Sequence, residues 1–160
     1  MSDASPPDRA VNIHASAVVV GEAGVVIRGR SGRGKSALAL ALIDIANTHG
    51  LFGRLVGDDR ILVRACGGRI LLSGAPNTLS LIERRGIGLE TVPFEPAAVA
   101  RLVVDILDEG ESAARMPEAS DETAELAAIR LPRLVFEASS RPFERARAVL
   151  AALSEKTTAL

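Results

Sequence analysis

Eight consecutive residues, Gly29-Arg30-Ser31-Gly32-Arg33-Gly34-Lys35-Ser36, carry the most specific chemical signal in the chain. They fit the pattern G-x-x-x-x-G-K-[ST], a loop whose backbone cradles the phosphates of a nucleotide. Glycines let such a loop turn its N–H groups inward toward phosphate oxygens. The N-terminus of the helix that follows adds the positive end of its dipole. In this arrangement Lys35 reaches the β- and γ-phosphates and Ser36 ligates Mg²⁺, so ATP and Mg²⁺ are the expected ligands. A plain glycine-rich turn before a core helix is the competing reading, and it leaves Lys35 unexplained.

A bound nucleotide needs a metal partner and a group that manages the nucleophile. Asp58-Asp59, between the apolar runs Leu55-Val56 and Ile61-Leu62-Val63, is the first candidate. Adjacent strand residues point to opposite faces, so both carboxylates reach one site only if the strand has ended there. A turn carboxylate pair without function is the alternative. Asp105 is the rival, because Leu102-Val103-Val104-Asp105 has the apolar-run-plus-Asp form of a Walker B strand. That form is common in strands generally. His14, on an expected strand, is more often structural than catalytic. Glu83-Arg84-Arg85-Gly86 fits an exposed helix end whose cations suit the dipole. Cys66 reads as a small buried apolar residue rather than a nucleophile.

The elements that must position these groups follow from pattern. Val11–Val20 and Val25–Arg28, around the turn Gly21–Gly24, predict a hairpin leading into the loop. Ser36 to about Asn47 is built almost wholly of strong helix formers and breaks at His49-Gly50. A second hairpin is expected around Gly67-Gly68. Pro76 suits the first turn of a short helix over about Asn77–Arg84, ended by Gly86 and Gly88. Leu102–Leu107 and Leu134–Phe136 read as strands, and Ser140 as the cap of a last helix from Arg141 to about Leu153. Residues 108–125 are rich in Asp and Glu and poor in apolar residues, which predicts a solvated, mobile loop. Residues 1–10 read as a disordered tail.

With 160 residues, 48% of them apolar, the chain suits one domain over 11–160. Aromatics are 2% with no Trp or Tyr, so the core must be Leu, Val, Ile and Ala, as helices on a sheet require. The expected class is α/β, a single phosphate-loop domain. A net charge of −1 gives no nucleic-acid footprint, and no apolar run reaches membrane-spanning length. With a polar, Pro-rich start and one cysteine, the expected compartment is the cytoplasm.

Taken together, the loop and its apolar helix, Asp58-Asp59, Ala75-Pro76 and Ile82-Glu83-Arg84-Arg85-Gly86-Ile87-Gly88 resemble the catalytic domain of bacterial HPr kinase/phosphorylase. That family carries a His shortly before a G-x-S-G-x-G-K-S loop, where His14 stands, then a two-Asp motif and a signature E-x-R-G-x-G. The resemblance runs over about residues 11 to 138, and the chain looks like the short alphaproteobacterial form that lacks the N-terminal domain. It implies a mixed sheet with the topology shared with phosphoenolpyruvate carboxykinase. It implies phosphorylation of a serine of HPr, the phosphocarrier of the sugar phosphotransferase system, and removal of that phosphate by phosphorolysis. By the same resemblance Asp58 is the base, with His14, Lys35 and Arg85 at the catalytic centre. Ser36, Asp59 and Glu83 lie at the metal, and Arg115 sits in a substrate-contacting loop. The family forms hexamers, so a homo-oligomer is an expectation. Departures are the loop residues Arg30 and Arg33, Ala37 after the loop, and Ser139-Ser140-Arg141-Pro142 where the family has P-G-R-N. Two rival readings remain: an ATPase or GTPase using Asp105, and a nucleotide-sensing module that turns nothing over.

Overall fold

The computed structural model describes residues 9–112 and 122–158. Valine-rich β2 (Ser16–Val20) and β3 (Ala23–Arg28) form an antiparallel hairpin, and β3 delivers the chain to the glycine loop and then to helix α1 (Lys35–Thr48). β1 (Val11–His14) precedes them. After α1 come β4 (Gly53–Gly57), β5 (Arg60–Cys66) and β6 (Arg69–Gly74), then the hairpin β7 (Leu81–Arg84) and β8 (Gly88–Thr91). The long strand β9 (Ala97–Ile106), β10 (Thr123–Leu126), β11 (Ile129–Phe136) and helix α2 (Pro142–Thr158) complete the order. The main sheet runs β1-β5-β6-β9-β3-β2-β4, with β11 also on β9 and β10 beyond it. It is mixed: β9 is parallel to β3 and β11, and the other pairings are antiparallel.

All five residues of β2 are buried because both of its faces are covered. Val18 and Val20 face α1, which supplies Leu38, Leu42, Ile43 and Ala46, and α2, which supplies Ala146 and Val149. Ala17 and Val19 face the other way, against Ile61, Val63, Ile70 and Leu72 of β5 and β6. The sheet therefore curls back on itself, so that β6 touches β4 although the two lie far apart in strand order. At that contact a Cβ on Gly74 would collide with the Val56 carbonyl.

Several expectations from pattern change in three dimensions. The run Val11–Val20 is not one strand. It breaks at Ala15, whose N–H donates to Asp59 O (3.1 Å), and β1 pairs with β5 while β2 pairs with β3 and β4. One extended segment thus passes from one layer to the other. The expected helix over Asn77–Arg84 is a single 3₁₀ turn, Pro76–Thr78, followed by a strand. Ile82 is buried beneath α1, while Ile87 and Leu89 are exposed, and the positive φ of Gly86 makes a hairpin turn rather than a helix end. β9 starts at Ala97, because the small residues Ala97, Ala98 and Ala100 pack on β6 without a strongly apolar pattern. Thr123–Leu126, its first three residues expected in the loop, is strand β10; residues 113–121, with Arg115, lie outside the described residues, as do 1–8. β11 starts at Ile129: Pro132 sits where its pairing passes from β10 to β9, so the missing N–H costs no ladder bond to β9. α2 runs to Thr158. Ser140 does not cap it, since its hydroxyl donates to Glu137 O.

Candidate active site

The loop between β3 and α1 is shaped by Gly32 and Gly34, with φ of 83° and 95°. These left-handed values suit a residue without Cβ. Gly34 is the N-cap of α1 and offers no side-chain cap, so the N–H groups of the first helical turn are not taken up by one. Lys35, 7% exposed, donates from Nζ to Gly29 O (2.8 Å). Burial pushes its pKa down from the ordinary 10.5, and the charges of Asp59 and Asp58 partly offset this.

The two carboxylates arrive from β4. The strand ends at Gly57, where a Cβ would meet Ile61 Cγ2 at 2.9 Å, and Asp58 and Asp59 form the turn into β5. Asp59 takes a φ of 67°, a conformation that Asp tolerates better than most residues. Because the pair lies in a turn, the strict alternation of a strand does not apply, and both side chains reach the loop region. Asp58 accepts hydrogen bonds from Ser16 Oγ (2.6 Å) and from Ser36 Oγ (2.8 Å). Asp59 Oδ1 lies 3.1 Å from Nδ1 of His14, on the neighbouring strand β1. With Nδ1 donating to Asp59, Nε2 is the acceptor that faces Ser31 Oγ and Lys35 Nζ, each 3.4 Å away. Six residues named from the sequence, His14, Ser31, Lys35, Ser36, Asp58 and Asp59, thus form a polar cluster.

Ser36 and Asp58 are a hydroxyl and a carboxylate in contact, the hard oxygen donors that suit Mg²⁺. Among the described residues no group of three or more His, Cys, Asp or Glu converges on a metal position. A cation here would therefore take one or two protein oxygens and complete its shell with phosphate and water, the usual mode for Mg²⁺. The structure puts Asp58 rather than Asp59 beside Ser36.

Asp105 stands elsewhere. Its neighbours Val104 and Ile106 pack on the helix side of the sheet, so Asp105 points to the opposite face. There Arg28 donates to it from Nε (2.7 Å) and Nη2 (2.8 Å), and Arg133 from Nε (2.5 Å). Burial alone pushes the Asp105 carboxyl up, but the two arginines outweigh it and hold the pKa below the ordinary 3.8. A carboxylate so engaged is not offered to a metal at the loop, and the rival reading of Asp105 as a Walker B residue is not favoured on that ground.

Glu83 and Arg85 are exposed on the β7–β8 hairpin, and among the described residues neither forms a hydrogen bond or ion pair with the loop cluster. Arg84, between them, pairs with Glu90. The loop arginines face carboxylates just after β9: Arg33 is 3.3 Å from Asp108 and 3.5 Å from Glu109, and Arg30 is 3.6 Å from Asp108. Three contributors escaped the sequence reading. Ser16 was visible as a lone hydroxyl heading a run of valines. Asp108 and Arg145 had no local signal.

A family model described as the HPr Serine kinase C-terminal domain matches residues 8–94, more than half of the chain. The chain is 38% identical over 78 residues to an HPr kinase/phosphorylase of Exiguobacterium sp. (strain ATCC BAA-1283 / AT1b), a match covering 48% of this chain and 23% of that protein. It is 42% identical over 76 residues to the HPr kinase/phosphorylase of Mycoplasma mycoides subsp. mycoides SC, covering 48% and 22%. The match thus spans less than a quarter of the length of these curated relatives. In fold, the chain is similar to the Hpr(Ser) kinase/phosphatase from Coxiella burnetii, with a TM-score of 0.76, 23% identity, and 92% of this chain and 99% of that one covered. The matched residues 8–94 contain His14, the glycine loop, Asp58-Asp59 and the Glu83–Gly88 signature, and on that basis the chain belongs to the HPr serine kinase C-terminal domain family.

Proposed function

We propose that the chain is an ATP- and Mg²⁺-dependent protein-serine kinase that phosphorylates an HPr-type phosphocarrier, with the capacity to reverse the reaction by phosphorolysis. The observation that carries the reading is the contact of Asp58 with Ser36, made between a strand turn and the glycine loop 22 positions away (2.8 Å). The contact supports reading Asp58 as a base next to the metal ligand Ser36 in a phosphate-binding loop. The reading includes the phosphate-loop topology shared with phosphoenolpyruvate carboxykinase.

In the forward direction Asp58 accepts the proton of the substrate serine as its oxygen bonds to the γ-phosphorus and ADP leaves. Ser16 orients Asp58 independently of Ser36, so the carboxylate keeps one anchor when Ser36 turns its oxygen to a metal. Lys35 balances charge on the terminal phosphates, and His14 links Lys35 to Asp59. Ser36, beside Asp58, would hold Mg²⁺, with Asp59 and Glu83 as the further ligands of this reading, and the ion would supply charge neutralisation on the phosphates. In reverse, a phosphate oxygen bonds to the phosphoserine phosphorus, the serine oxygen leaves, and Asp58 returns the proton; pyrophosphate is the product. Arg85 and Arg115 belong to the substrate side of this reading. The enzyme acts in the cytoplasm on a protein, not on nucleic acid or at a membrane; among the described residues no helix is long and apolar enough to cross one.

Incubation with γ-labelled ATP, Mg²⁺ and HPr tests this. Label on HPr, lost in Asp58→Asn, is the expected result. Phosphate release that is independent of HPr would replace the kinase with an ATPase, and ATP binding without turnover would replace it with a nucleotide-sensing module.

A further inference from the structure

Arg145, in the first turn of α2, is 2% exposed. A guanidinium cannot shed its charge at neutral pH, and burying it is costly unless it is paired. The common solution is a carboxylate, and among the described residues Arg145 has none within ion-pair distance. Its four hydrogen bonds go to neutral oxygens: Nε to Ser140 Oγ (2.8 Å), Nη2 to Glu137 O (3.0 Å) and Ala138 O (3.1 Å), and Nη1 to Arg33 O (3.2 Å). The first three fasten it to the link between β11 and α2. The fourth crosses 112 positions of sequence to the glycine loop. Nη1 would also lie 3.1 Å from a Cβ added at Gly34, so the charge sits directly against the loop backbone, one residue before Lys35.

The bond to Arg33 O has a geometric consequence. In a trans peptide the C=O and the next N–H point in opposite directions. The Arg33–Gly34 peptide is trans, as are all those among the described residues, so with the Arg33 carbonyl turned to Arg145, the Gly34 N–H points away from α2. Loop arginines Arg30 and Arg33 already face Asp108 and Glu109. Among the described residues, Arg145 behind the loop faces no carboxylate.

We propose that Arg145 is a positioning residue of the phosphate loop: its fork holds the Arg33–Gly34 peptide with the N–H toward the anion, and its uncompensated charge draws phosphate to the loop. This rests on the reading of the loop as a phosphate site. An anion there supplies the counter-charge that the protein withholds, so binding and relief of the buried charge are coupled. The role is specific to phosphate. It acts on inorganic tripolyphosphate as it does on ATP, because both present the same anionic chain.

The test is equilibrium binding of MgATP and of tripolyphosphate, each over a range of salt, to the unsubstituted chain, Arg145→Lys and Arg145→Met, with thermal melts of all three. Arg145→Met should weaken both ligands by about tenfold or more, as loss of a charged hydrogen-bonding group does. It should also flatten the dependence of affinity on salt. Arg145→Lys keeps the charge and loses the fork, so it should weaken binding severalfold while keeping the salt dependence of the unsubstituted chain. A lower melting temperature in Arg145→Met with unchanged affinity and unchanged salt dependence would overturn the proposal, leaving Arg145 a structural anchor. If Arg145→Met fails to fold, Arg145→Lys decides: affinity equal to the unsubstituted chain removes the positioning role. Binding of neither ligand by the unsubstituted chain would overturn the phosphate-site reading itself, and this inference with it.

Discussion

On the proposed reading, Lys35, Asp58 and Asp105 separate binding, chemistry and stability. Lys35 contributes a buried point charge where terminal phosphates are expected, and electrostatic interactions strengthen as water is excluded. Lys35→Ala should lose most ATP affinity in a titration while keeping the circular dichroism of the folded chain. Asp58→Asn keeps the size of the side chain and removes the proposed base, so phosphoryl transfer should fall by about 10²-fold or more with ATP binding retained. Asp105→Asn should do the reverse. It leaves Arg28 and Arg133 without their shared carboxylate, which should destabilise by about 1–3 kcal/mol in a denaturant melt, with transfer intact. Transfer abolished by Asp105→Asn and spared by Asp58→Asn would exchange their roles. The pKa shifts give two signs. Asp105 titrates below its ordinary 3.8 in the folded state, so its stabilisation is complete above that value and is lost as pH falls through the lowered pKa. Asp105→Asn should therefore flatten the acid limb of the stability curve. Lys35 titrates below its ordinary 10.5, so between the lowered value and 10.5 the unfolded chain binds more protons and stability rises with pH. Over the same window Lys35 loses its charge, and ATP affinity should fall, as titration at stepped alkaline pH would register.

Between elements, the site depends on a turn and a close contact. Asp58 and Asp59 share one site because β4 stops at Gly57 and the chain turns before β5. The curl of the sheet that brings β5 and β1 over β2 requires Gly74 against the Val56 carbonyl. Gly74→Ala inserts a methyl where backbone stands, and should cost about 1–3 kcal/mol in a thermal or denaturant melt. The loss should extend to His14, since β1 is held by β5. The β7–β8 hairpin shows why short elements mislead. Leu81–Arg84 has too few residues to display a period, and its state is set by Ile82 finding a place under α1.

For the whole molecule, two cores cover the two faces of one mixed sheet, and the polar cluster lies where β1, the β3–α1 loop and the β4–β5 turn meet. A ligand that binds the folded state alone stabilises it by mass action. At an ATP concentration a hundredfold above its Kd the gain should be about 2.7 kcal/mol, read as a rise in melting temperature that Lys35→Ala abolishes.

What the amino-acid sequence determined by itself was local: the glycine loop, the helix that follows it, the β2–β3 hairpin and the adjacent carboxylates Asp58-Asp59 between two strands. Each of these is written in residues within a few positions of one another, where backbone freedom, helix propensity and turn chemistry act. The tertiary structure decided the rest. It split Val11–Val20 between two layers, because Ala15 bonds to a residue 44 positions on, a pairing that no local pattern encodes. It removed Asp105 from the loop, since which face a strand residue takes depends on register, and β9 shifts register against β3 between Ala100 and Leu102. It also set Arg145 behind the loop: a buried arginine on a surface-like helix pattern is recognisable only once its acceptors, scattered over Arg33, Glu137, Ala138 and Ser140, have been brought around it.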